Sequence, residues 1–216
     1  MVKKKNIPQR IEDARLLIRG AMHMPVVSQE VAKYGYPMKE LQRGEGLLNK
    51  VILLQSEKSS KYGLQFSASE QLKKDQATAW EQYLYHVKSA KLAFRNDIGK
   101  QKHLQLDVPR KRNLAGWMEQ ARYFYKEIQQ MPESFAPMGV TAEEVAQTQA
   151  MIEAIGDTHR SCKGLQGEAQ MATQERNLAM KALDEWVRRF TKTARLALDD
   201  QDQLLEGLGL LVRSKV

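Results

Sequence analysis

A chain of 216 residues with 42% hydrophobic and 28% charged side chains can bury a core and lies outside the intrinsically disordered class. Its single cysteine excludes an internal disulfide framework, and its longest apolar run, Val51 to Leu54, is far too short to span a bilayer. The formal net charge of +8 is unevenly spread, with 22 Lys and Arg against 11 Asp and Glu in residues 1–112 and 12 against 15 in the rest, which admits a polyanion partner for the first half.

Ala, Leu, Glu, Gln, Lys, Arg and Met dominate, and no stretch alternates with a period of two, so the chain reads as all-α. No apolar segment of signal-peptide type follows Lys3-Lys4-Lys5, and the expected location is the cytoplasm. Ile11, Ala14, Leu17, Ile18 and Ala21 recur at helical spacing between Pro8 and Met24-Pro25 and define a first helix. After a connector with a helical turn near Ser28 to Lys33, Pro37 opens a second helix, carried by Leu41, Leu48, Val51, Leu54 and Gln55 to about Tyr62. Gly44-Glu45-Gly46 inside it has no preceding strand and is read as close packing or a mild bend, not as a phosphate loop. Gly63 is expected to end this helix, and Ser67-Ala68-Ser69-Glu70 to cap a third that buries Leu72, Ala79, Tyr83, Val87, Ala90 and Phe94.

The pattern then restarts. Pro109 is expected to open a fourth helix with Leu114, Trp117, Met118, Ala121, Phe124, Tyr125 and Ile128 inward. Met131 to Pro137 interrupts the chain, and Thr141-Ala142-Glu143-Glu144 caps a fifth helix whose stripe is Val145, Ile152, Ile155, His159 and Cys162. Gly164 or Gly167 is expected to close it, before a sixth helix with Leu178, Leu183, Trp186, Val187, Phe190, Ala194 and Leu198 inward. A short turn around Leu204 to Leu210 caps the bundle.

A shift of 104 residues lays Ala194-Arg195-Leu196-Ala197-Leu198 on Ala90-Lys91-Leu92-Ala93-Phe94, Gly139 on Gly35, Gly167 on Gly63 and Leu208 on Leu104. The architecture expected is a tandem duplication of an antiparallel helical-bundle unit, with six main helices and a short C-terminal tail. Its halves are residues 1–104, basic, and 105–216, mildly acidic, packed on each other or on a second chain.

No histidine follows a glutamate by three residues, which removes the carboxylate-bridged dimetal class of helical bundle. His159 and Cys162, three apart on one face, give two soft ligands and lack a third, and Met22-His23-Met24 cannot converge on one ion because adjacent helical residues diverge by about 100°. These readings give no metal, no cofactor and no catalytic set. The residues that could line an anion-binding surface are Lys88, Lys91, Lys100, Lys102, Arg110, Lys111 and Arg112, with Lys3-Lys4-Lys5 and Arg10 as a second basic stretch. They lack any base-reading motif, so a nucleic acid would be held through its phosphates. Trp80, Trp117 and Trp186 fall at helical spacing and are assigned to the core, while Tyr85 and Tyr123 lie off the stripe and are candidate interface residues.

The closing phrases Ala194 to Asp200 and Leu204 to Gly209 resemble the ending of uncharacterised bacterial all-helical proteins of unknown function, a resemblance that implies no activity. The function expected is that of a non-enzymatic helical scaffold or protein-protein interaction protein, through a protein partner or self-association. The alternative is sequence-nonspecific polyanion binding through the basic first half.

Overall fold

The structure, a computed structural model, describes residues 5–131 and 136–211. All regular structure among them is helical, and helix accounts for 83%. Helix α1 (Ile7–His23) starts at Asn6, whose side chain accepts from the Gln9 N–H at 3.0 Å while the Gln9 side chain accepts from the Asn6 N–H at 3.2 Å. Helix α2 (Pro25–Lys33) follows at once, longer than the single turn expected there, and Gly35, at φ +89°, turns the chain toward α3 (Met38–Ala93). Asp97 caps the short α4 (Ile98–His103). Helix α5 (Leu114–Ile128) opens at Asn113, which accepts from the Gly116 N–H at 2.8 Å, and not at Pro109, whose carbonyl is held in the connector by Gln120. The interruption at Met131 to Pro137 lies in part outside the described residues, and a 3-10 turn follows at Ala136–Met138. The Thr141–Glu144 capping box then opens α6 (Ala142–Ala197), with N–H contacts of 2.8 and 3.1 Å, and α7 (Asp202–Gly207) closes the described chain. No helix among the described residues is long and apolar enough to cross a membrane.

The expected breaks at Gly63 and at Gly164 or Gly167 do not occur. The second and third expected helices form one 56-residue helix, α3, and the fifth and sixth form another, α6, also of 56 residues. A glycine inside a helix costs only about 1 kcal/mol relative to alanine, which interrupts nothing when the halves on either side are packed. Here they are: Leu41, Leu48 and Val51 before Gly63 and Leu72, Ala79 and Tyr83 after it are buried. The turns between them are not, and they carry surface contacts, Lys61 with Glu168 at 2.5 Å and Thr173 to the Tyr62 hydroxyl at 3.4 Å.

The continuity of the long helices also overturns the division into 1–104 and 105–216. The chain forms two compact units, a terminal unit of residues 1–62 with 168–216 and a sequence-central unit of residues 63–167. Each unit takes one half of α3 and one half of α6. The terminal unit buries Ile11, Leu17 and Ile18 of α1, Val27 and Val31 of α2, Leu41, Leu48 and Val51 of α3, and Leu183, Trp186, Phe190 and Ala194 of α6. The central unit buries Tyr83, Val87 and Ala90 of α3, Trp117, Phe124 and Tyr125 of α5, and Val145, Ile152 and Ile155 of α6. Within each, α3 and α6 run antiparallel. Glu40, Gln55 and Lys61 meet Trp186, Arg176 and Glu168 in the terminal unit, and Gln82 meets Thr148 in the central one. Leu178, expected inward, is 69% exposed because the buried stripe runs through Ala179, Leu183, Trp186 and Phe190, one residue out of phase with it.

The elements recur at fixed spacing. Helices α3 and α6 have equal length and begin 104 residues apart, as do α4 and α7. The left-handed residues Gly35 and Gln105 have counterparts at Gly139 and Gly209, the same distance on. For α1 and α5 the buried pattern fixes a spacing of 107: Ile11, Ala14, Leu17, Ile18 and Ala21 lie on Met118, Ala121, Phe124, Tyr125 and Ile128. Pro8 and Pro109 therefore do not correspond.

Candidate functional site: a basic stretch and a tryptophan groove

All seven candidate cations fall in the central unit, but they differ in what already holds them. Arg110 is structural. It donates through Nη1 to the Tyr83 hydroxyl at 2.8 Å and through Nη2 to the Gln105 carbonyl, tying the connector to α3. Burial pushes the Tyr83 phenol up and Arg110 partly offsets this. Lys111 stands 3.2 Å from Glu119, and its backbone N–H donates to the side chain of buried Gln120 at 2.8 Å. Lys102 pairs with Asp107, holding that carboxyl below the usual range, and Lys100 lies 3.6 Å from Asp97 and 5.2 Å from the centre of the Phe94 ring. Such exposed pairs hold little energy but lower the field a polyanion would meet. Lys88 and Lys91 on α3, and Arg112 before α5, are exposed and have no acidic partner among the described residues. In the second basic stretch Lys3 and Lys4 lie outside the described residues, Lys5 pairs with Asp13, and Arg10 pairs with Asp184.

Arg112 is the candidate that meets a cavity. A groove of about 570 Å³ is lined by Lys73, Gln76, Ala77, Trp80 and Leu84 of α3 and by Arg112, Leu114 and Trp117. The indoles of Trp80 and Trp117 stand 5.8 Å apart at 73°, the edge-to-face arrangement that the ring quadrupoles favour. Trp117 is buried, and its Nε1–H has no acceptor. Lys73 is engaged by Glu70 at 3.0 Å. The groove is apolar with a cationic rim, an arrangement suited to binding.

The assignment to the core holds for Trp117, which is buried, and in part for Trp80, which packs against that core and also lines the groove. At the equivalent places in the terminal unit stand Asp184 and Arg10, joined as an ion pair through both guanidinium nitrogens Nε and Nη2.

Elsewhere the structure sorts the remaining candidates. Cys162 is buried in the central core and His159 is half-buried, and among the described residues no three His, Cys, Asp or Glu are placed to hold a metal ion. Tyr85 is exposed, whereas the Tyr123 hydroxyl donates to the His103 carbonyl at 2.8 Å. Arg176, which the sequence did not single out, is buried and donates to Gln55 at 3.1 Å, and among the described residues its Nε has no partner and no carboxylate pairs with it. In comparisons with known proteins, no family model, curated protein or solved structure matches the chain.

Proposed function

We propose that the chain is a non-enzymatic, cytoplasmic helical scaffold, arisen by duplication of one helical segment, that engages a protein partner or a second copy of itself through the outer faces of α3 and α6. The supporting observation is that Leu92 and Leu196, 104 residues apart, are both left in solvent, at 57% and 64% exposure, on helices whose inner stripes are fully used. A single exposed leucine is ordinary, but the same one in both repeats is a repeated surface feature. A photo-crosslinking residue at exposed position 88 or 192, one helical turn from Leu92 or Leu196, in the native cell, should give discrete protein adducts that are lost with Leu92→Glu or Leu196→Glu respectively. Adducts no more frequent than at exposed Lys50 would contradict the reading.

Lys88 and Lys91, which have no acidic partner, support a second reading, polyanion binding through phosphates. Affinity for a short DNA duplex would then fall steeply with salt, and Lys88→Gln with Lys91→Gln would reduce the log–log slope by roughly 0.9 per lost contact. An unchanged slope removes this reading. Arg110→Ala is a poor probe of it, because Arg110 is engaged by Tyr83 and Gln105.

A further inference from the structure

We propose that the groove between Trp80 and Trp117 is a binding site for a small molecule with a flat aromatic body and a single carboxylate. Its volume of about 570 Å³ is that of a small-molecule site. The partly buried Trp80 indole, held edge-to-face against buried Trp117 at 5.8 Å and 73°, offers an apolar surface on which one aromatic ring stacks. Charge sets the rest of the ligand. Lys73 stands 3.0 Å from Glu70, which offsets its charge, whereas Arg112 has no acidic partner among the described residues, and its planar fork matches one carboxylate.

One further observation points to a ligand and not merely to a dent in the surface. In the other repeat the same two positions close on themselves through Arg10 and Asp184. The central unit has two indoles at these positions, with Arg112, which has no acidic partner among the described residues, beside them. This site is separate from the outer leucines Leu92 and Leu196, and its occupancy does not depend on the scaffold reading.

The probe is 2-naphthoate, titrated into the full-length protein and followed by tryptophan emission and by ligand-observed NMR, with 2-naphthalenemethanol as the uncharged analogue. Saturable one-to-one binding is expected, with the alcohol at least about tenfold weaker, the order of a lost charge-assisted hydrogen bond pair. Arg112→Gln should bring acid and alcohol to within about twofold, and Ala77→Glu, at an exposed helical position, should abolish binding of the acid while leaving the circular dichroism unchanged. Inorganic phosphate at the same concentration should not displace the probe. Absence of saturable binding, survival of the acid preference in Arg112→Gln, or unchanged affinity in Ala77→Glu would overturn the proposal. Displacement by phosphate would overturn it too, in favour of a plain anion site.

Discussion

Trp186 lies so close to the backbone of α3 that a Cβ built on Gly44 would come within 2.5 Å of its indole. The ring is fixed in that place, donating from Nε1 to Glu40 at 3.1 Å and stacking on Phe190 at 5.0 Å, so it has little room to retreat. Gly44→Ala should therefore lose about 1–3 kcal/mol to overpacking even though alanine gains about 1 kcal/mol of helix propensity. Gly46, two residues on, faces open space, and Gly46→Ala should gain up to about 1 kcal/mol. Urea denaturation of the two variants measures both, and equal effects would show that the indole is not where the structure places it. The central unit has Thr148 and Gln82 at the positions of Gly44 and Trp186, and they meet by a hydrogen bond of 3.1 Å. His86 offers a second residue-scale prediction. Burial lowers the pKa of its imidazole, Glu144 offsets this only in part, and its Nδ1 shares a hydrogen bond of 2.9 Å with the Tyr125 hydroxyl. The unfolded chain takes up this proton near pH 6.5 and the folded one does not, so the stability His86 contributes is whole above that pH and is lost as the pH falls below it. Phe190 stands at the equivalent place in the other repeat, and His86→Phe should make the loss of stability between pH 7.5 and pH 5.5 smaller than in the parent protein. A steeper loss in the variant would be the contrary result.

At the scale of the element, Gly63 and Gly167 separate two accounts of the long helices. Inside a continuous helix with open space beside them, as here, Gly63→Ala and Gly167→Ala should each gain about 0.5–1 kcal/mol and raise the melting temperature. Were they left-handed residues closing separate helices, the same changes would cost about 1–2 kcal/mol. Thermal melts decide the sign. The buried stripes were legible in the sequence because Ile11 to Ala21, Leu72 to Phe94 and Trp117 to Ile128 repeat at helical spacing, and all lie inside as that spacing requires. The Thr141 capping box was legible for the same local reason. Helix continuity was not, since Gly63 and Ser67-Ala68-Ser69-Glu70 are local stop and start signals of small energy. Contacts with residues far along the chain, such as that of Lys61 with Glu168, 107 residues away, are invisible to local reading.

For the molecule as a whole, the recurrence of elements 104 residues apart was visible in the sequence but the compact units of the chain were not. Similar segments suggest similar domains, yet a repeat whose long helix cannot fold back must share its second half with the other repeat's first helix. The same exchange explains why the charge asymmetry of the sequence halves does not pass to the compact units. The terminal unit carries 20 Lys and Arg against 14 acids and the central one 14 against 12, so both are mildly basic. The candidate cations were found in one unit as a stretch, but only the tertiary partners of Arg110, Lys102 and Lys111 show which are committed, and those partners could not be read from spacing. The exchange is tested most directly by cutting the chain two ways. The fragment 63–167 contains every residue of the central core, whereas 1–104 contains parts of both cores and completes neither. By circular dichroism, 63–167 should be helical and melt cooperatively, and 1–104 should not. A cooperative transition in 1–104 with none in 63–167 would contradict the exchange of helix halves on which this architecture rests.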